Sequence, residues 1–252
     1  MNRCILLFAA CAGLTAAPAL AQDRAEGPRG SATGRGSLRG YANPSAVIAA
    51  ELALARDAAA RGRWTALDAA AASDAVIFAP RLVWARPWLK GRANPAPAMR
   101  WQPAAVWSSC DGSLVVSRSS WRTADGSANW LARVWQRQGD GAYKWVAELD
   151  GRLGQAAPES DMIAAEVADC AVRVRSPEED ETRRLGKPPK PPRPPKLKDL
   201  PPLDPMRHGG AAGDGTLRWE ASVAPDGARR LVAIWRKDGR EQTLIDERVT
   251  GG

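Results

Sequence analysis

Apolar residues recur at helical spacing at the start of the ordered chain, where Ile48, Leu52, Ala55 and Ala59 fall on one face. Asn43 is placed as the N-cap with Pro44 in the first turn, and Gly62 supplies the stop. The pattern then predicts a short helix over Trp64–Ala71 and a strand, Val76–Ala79, closed by Pro80. Residues 86 to 91 read as another helical turn, and residues 92 to 100, with Pro95 and Pro97, as loop. Beyond this point the period drops to two. Strands are predicted at Arg100–Ser108, Ser113–Arg122, Asn129–Arg137 and Tyr143–Leu149. Asp-Gly pairs punctuate them at 111–112, 125–126 and 140–141, where a turn needs positive φ. Helices followed by a meander of long strands predict an α+β layout, with helices on one face of an antiparallel sheet.

The alternation resumes near the C-terminus, in Leu217–Val223, Arg230–Arg236 and Thr243–Val249, with turns at Pro225-Asp-Gly227 and Lys237-Asp-Gly239. A three-stranded meander over residues 214–252 is therefore expected. Three strands of this length are marginal alone, so they are expected to dock on the main domain or on a second copy. Before them runs a basic, proline-dense stretch, residues 186–205, which lacks backbone donors and reads as a polyproline II linker. Residues 43–153 form the expected main domain and residues 154–185 a connecting segment carrying Cys170. The chain also carries an internal echo. Asp111-Gly-Ser-Leu114 and Asp214-Gly-Thr-Leu217 each open a meander, and Trp135-Gln-Arg137 and Trp235-Arg-Lys237 fall at similar points within it.

The first 21 residues add an address. Arg3 precedes an Ala-rich apolar run, and Ala19-Leu20-Ala21 matches a signal-peptidase site, so cleavage is expected between Ala21 and Gln22. Residues 22–42, rich in Gly, Arg, Ser and Ala, are expected to be a disordered tail. The expected location is periplasmic or secreted, with no membrane span left once the signal is removed. Removal of the signal takes Cys4 and Cys11 and leaves Cys110 and Cys170, which in an oxidising compartment form an expected disulfide. The net charge of +8 is spread thinly apart from the proline-rich stretch, with no nucleic-acid-binding motif beside it. Nucleic acid is therefore not an expected partner.

Several segments together resemble one family. They are Ala49-Ala-Glu-Leu-Ala53 with Arg61-Gly-Arg-Trp64, and Ser73-Asp-Ala-Val-Ile-Phe-Ala-Pro80. Asp111-Gly-Ser-Leu114 and Arg133-Val-Trp-Gln-Arg137, leading to Tyr143-Lys-Trp-Val-Ala-Glu-Leu-Asp-Gly151, complete the set. Over residues 44–151 the chain resembles the ketosteroid-isomerase-like superfamily (SnoaL-like, nuclear-transport-factor-like, cystatin-like cone fold), in its exported branch of unknown function. The resemblance implies a curved antiparallel sheet wrapped around a long N-terminal helix, a conical cavity on the concave face, and frequently a homodimer. It does not imply an activity, because enzymes and binding modules share this fold.

Available chemistry is narrow. His208 is the only histidine, in a Gly-rich stretch beyond the proline-rich segment, and is expected to be an exposed loop residue. Histidine dyads, zinc hydrolysis and Ser–His catalysis therefore lack their parts, and no metal or cofactor is expected. Carboxylates remain. Asp74 precedes a strand in a capping position. Glu51 either reaches a cavity rim or pairs with Arg133 or another basic strand residue. Glu148, by simple alternation, faces away from Trp145. No catalytic residue is assigned.

Tryptophan is the positive feature, with nine of eleven lying between Trp64 and Trp145. Each ring fills much core volume, and some can instead line a pocket for an apolar or sugar-like ligand. The candidate pocket residues are Trp101, Trp121, Trp130, Trp145, Arg133 and Glu51. The leading expectation is an exported, non-catalytic module that binds a small apolar or amphipathic ligand or a protein partner. The rivals are an isomerase or lyase using Glu51 or Asp74 as base, and a structural protein that dimerises or reaches the envelope through its proline-rich arm.

Overall fold

The computed structural model describes residues 42–96, 100–122, 126–153, 162–170 and 195–251. The expected signal peptide, nearly all of the expected N-terminal tail, most of the expected connecting segment and the first half of the proline-rich stretch lie outside the described residues. Three helices occur among the described residues: α1 (Pro44–Arg61), α2 (Arg63–Ala70) and α3 (Ala85–Leu89). Seven strands precede the proline-rich stretch: β1 (Ala71–Ala79), β2 (Arg81–Trp84), β3 (Trp101–Ser108), β4 (Leu114–Arg122), β5 (Ala128–Arg137), β6 (Tyr143–Arg152) and β7 (Ala164–Val167). Four follow it: β8 (Arg207–Ala211), β9 (Leu217–Val223), β10 (Arg229–Lys237) and β11 (Arg240–Val249).

The expected wrap of an antiparallel sheet around one long helix is overturned. The described residues are mostly β, with 49% strand and 19% helix, and their strands form a seven-stranded mixed sheet and a separate four-stranded sheet. The large sheet runs β2-β1-β6-β5-β4-β3-β7, with β1 parallel to β6 and β7 parallel to β3. Alternation marks the long central strands but does not say which pair, or in which direction. Strands β2 and β7, only four residues each, are too short to show a period. The small sheet, β11-β10-β9-β8, is also more than the expected three-stranded meander, because Arg207–Ala211 adds an edge strand. That segment holds two glycines and one apolar residue, so it carries no strand signature.

Helix α1 begins as its sequence suggests. The Asn43 side chain accepts the N–H of Ala46 and Pro44 occupies the first turn. Its buried stripe, however, is Val47, Glu51, Leu54 and Ala58. The helix is rolled by one residue from the predicted face, leaving Ala59 exposed. An Ala-rich helix is apolar on most sides, so periodicity alone does not choose the roll. The sheet chooses it, and the choice buries a carboxylate.

Register shows how the layers stack. Ser117 of β4 points to Glu51 on α1, whereas its neighbour Arg118 points the other way and pairs with Glu247 of β11 at 3.1 Å. The helices and the small sheet therefore lie on opposite faces of the large sheet. Contacts at several points fasten the small sheet. The Leu82 N–H on edge strand β2 donates to the Pro205 carbonyl at 3.0 Å, just before β8. A Cys110–Cys170 disulfide joins the β3–β4 turn to the segment after β7. Asp169, beside that bridge, accepts the Gly239 N–H at 2.8 Å and donates its own N–H to the Arg236 carbonyl at 2.9 Å. The disulfide thus sits where both sheets meet. No described helix is long and apolar enough to cross a membrane.

Candidate functional site

Glu51 reaches the large sheet at its centre and is fully buried there. One carboxylate oxygen accepts Ser117 Oγ at 2.5 Å and the Trp135 indole N–H at 2.9 Å. The other accepts the Trp101 indole N–H at 3.0 Å and an Arg133 guanidinium N–H at 2.5 Å. Four donors occupy its two oxygens. Arg133, 1% exposed, then bridges to Glu148, whose Oε2 it meets at 2.8 and 3.1 Å. Arg63 at the start of α2 completes the chain, 3.2 Å from Glu148 and 3.3 Å from Asp150. The indoles of Trp101 and Trp135 flank the Arg133 guanidinium, 5.3 and 5.6 Å from ring centre to Cζ.

Three carboxylates and two guanidiniums therefore run from the buried face of α1 to the sheet's surface. Burial pushes the Glu148 carboxyl up, but Arg133 and Arg63 together hold it below the ordinary carboxylate range. Burial likewise works against the Arg133 charge, and the two glutamates overcome it, so Arg133 stays protonated. A satisfied buried cluster of this kind fixes the helix against the sheet. It is poorly suited to accept a proton from a substrate, since every Glu51 lone pair is already engaged.

Simple alternation misplaces Glu148. In the β5–β6 ladder Arg133 pairs with Glu148 and Trp135 with Trp145, with a register shift between Val134 and Trp135. The bulge adds one residue on β6 and puts Glu148 on the same face as Trp145. No local signal in β6 marks it. Trp145 itself is structural, fully buried, with its indole N–H donated to the Leu67 carbonyl of α2 at 2.9 Å.

The other candidate tryptophans meet at a different place. A cleft of about 950 Å³ opens between α1 and the ends of β3 and β4. Leu52, Ala59, Trp101, Trp121, Trp130 and Leu153 are among its walls. Trp101 links it to the buried cluster, presenting its ring to the cleft and its N–H to Glu51. Trp130 lies over Gly151, its partner across the β5–β6 ladder, where an added Cβ would come within 2.8 Å of the ring. Arg56, Arg100, Arg118 and Arg122 also line the cleft, and no carboxylate does so among the described residues. Of the six candidate pocket residues, Trp101, Trp121 and Trp130 line it. Glu51 and Arg133 lie in the buried cluster, and Trp145 lies under α2.

His208 differs from its expected loop setting. It sits on β8, half-buried, between the rings of Trp84 at 5.4 Å and Trp219 at 5.7 Å. Burial lowers its pKa, opposed by a smaller upward pull from the Asp74 carboxylate. It does not line the cleft. Its position is set by the pairing of Arg207–Ala211 with β9, in which His208 stands opposite Ala221.

No family model and no curated relative matches the chain.

Proposed function

We propose that the protein is an exported binding module that holds a small amphipathic molecule in the cleft between α1 and the ends of β3 and β4. The observation that carries this reading is the cleft of about 950 Å³, lined by three tryptophans and four arginines and, among the described residues, by no carboxylate. Concave sites that combine aromatic walls with a few polar groups are the usual form of small-molecule pockets. Export rests on the leader pattern of the first 21 residues and agrees with the Cys110–Cys170 bridge, since such bonds persist in oxidising compartments. A non-catalytic role is favoured by Glu51, the carboxylate best placed beneath the cleft, because both its oxygens are held by protein donors.

The test is titration with anilinonaphthalene sulfonate, an aromatic anion whose fluorescence rises on leaving water. Saturable binding at one site is expected, quenching the tryptophan emission. Ala59 is exposed and lines the cleft, so Ala59→Trp fills it without touching the core. That variant is expected to keep its melting temperature and lose the site. Equal binding by Ala59→Trp and the parent chain rules the cleft out.

A further inference from the structure

Two polar atoms in the wall of this cleft have no partner. Ser119 Oγ and the Trp121 indole N–H are buried and make no hydrogen bond. Ser119 is only 2% exposed, and both residues line the cleft. They stand two apart on β4, on the face that carries Ser117 towards Glu51. Ser117, Ser119 and Trp121 thus form a polar file from the buried cluster to the cleft, satisfied at its inner end and open at its outer end. A buried donor left unmade costs stability, so these atoms do nothing for the free protein.

Both open groups are donors, a hydroxyl and an indole N–H. Among the described residues, the charged members of the cleft lining are all arginines. Arg56 and Arg100 are exposed residues of the cleft lining, Arg118 is committed to Glu247 at 3.1 Å, and Arg122 reaches the Gly126 carbonyl at 3.4 Å. Two donors in a cationic setting select an anionic acceptor with more than one oxygen. On the face of these two donors the remaining wall, Leu52, Ala55 and Trp101, is apolar.

We propose that the cleft takes an amphipathic carboxylate, with its head group accepting from Ser119 Oγ and Trp121 Nε1 and its apolar tail along Leu52 and Trp101. This rests on the binding reading above and names the ligand class for it. Trp121 is half-buried, so a turn of its ring admits the head group between the two donors.

The experiment compares dodecanoate, dodecanol and dodecyltrimethylammonium, each below its micelle concentration, as displacers of anilinonaphthalene sulfonate from the mature protein. Dodecanoate is expected to bind at least about tenfold tighter than dodecanol, as fits hydrogen bonds to a charged acceptor, and the ammonium to bind weakest. Ser119→Ala and Trp121→Phe are each expected to remove most of that preference. Both are expected to melt no lower than the parent, because neither removes a hydrogen bond from the free protein. If dodecanol matches dodecanoate, or if both substitutions leave the preference intact, the head-group assignment fails while the cleft survives as an apolar site. If none of the three displaces the probe and Ala59→Trp still binds it, the binding reading itself fails.

Discussion

The carboxylate of Asp111 accepts the backbone N–H of Asp214 at 3.1 Å, and the carboxylate of Asp214 accepts the N–H of Asp111 at 2.7 Å. The two residues stand at the same point of two equivalent turns. Gly112 and Gly215 both have positive φ, at 65° and 71°. Ser109 N–H donates to the Leu114 carbonyl and Ala212 N–H to the Leu217 carbonyl, each at 2.8 Å. Each carboxylate also caps its own turn, Asp111 with Ser113 and Asp214 with Thr216. The echo between Asp111-Gly-Ser-Leu114 and Asp214-Gly-Thr-Leu217 is therefore a contact as well as a likeness. The tryptophans of the echo are not equivalent, since Leu114 pairs with Gln136 and Leu217 with Trp235.

This reciprocal clasp is expected to couple the two sheets. Asp111→Ala and Asp214→Ala should each destabilise by about 1–2 kcal/mol through lost turn and clasp bonds. Each change removes one of the two clasp bonds and leaves the other, so a departure of the double variant from the sum measures how far the two bonds support each other. Urea unfolding of the four chains measures the cycle. Single variants as stable as the parent would mean that the clasp contributes nothing, and strict additivity that its two bonds act independently.

Arg133 stands between two buried carboxylates, so its loss is expected to be severe. Arg133→Met leaves Glu51 without a cation and Glu148 with Arg63 alone, and should cost about 3–5 kcal/mol. Replacing Glu51, Arg133 and Glu148 together by apolar residues of similar size should restore most of that loss. Chemical denaturation at neutral pH reads both. A mild Arg133→Met effect would show that water reaches the cluster.

The bridge between Cys110 and Cys170 spans a sequence separation of 60 residues. Replacing both by Ala should cost about 4 kcal/mol if closure of the unfolded loop dominates. The oxidised parent and the double variant, compared by guanidinium unfolding, give the value. A difference near zero would mean that the clasp and the Asp169 contacts already hold the sheets together.

The burial of His208 predicts a dependence on pH. Its folded-state pKa lies below the ordinary histidine value of about 6.5, so the unfolded chain binds the proton more readily. The stability of this sheet contact is then complete above that value and falls as pH drops through the lower folded-state value. Trp84, Trp219 and the more distant Asp74 are the groups that set this environment. Melting temperature measured from about pH 7 to about pH 5 should decline in the parent and decline less in His208→Phe. Equal slopes would assign the dependence to other groups.

The long strands and their turns are legible in the chain because each is encoded locally. Alternation at Asn129–Arg137 or Leu217–Val223 and an Asp-Gly pair at a turn need no knowledge of a partner. The N-cap at Asn43 is legible for the same kind of reason, chemistry confined to a few residues, and the pairing of Cys110 with Cys170 follows the expectation drawn from the leader pattern. Strand order, the parallel edges β1–β6 and β3–β7, and the fourth strand around His208 depend on neighbours far away in sequence. So does the site. The roll of α1 that buries Glu51 is selected by the sheet, because its Ala-rich surface offers several similar faces. The face of Glu148 is selected by a bulge that exists only once β5 and β6 pair. Side-chain periodicity is a property of one segment, whereas register and packing minimise the energy of many segments at once, and only the folded chain contains that minimum.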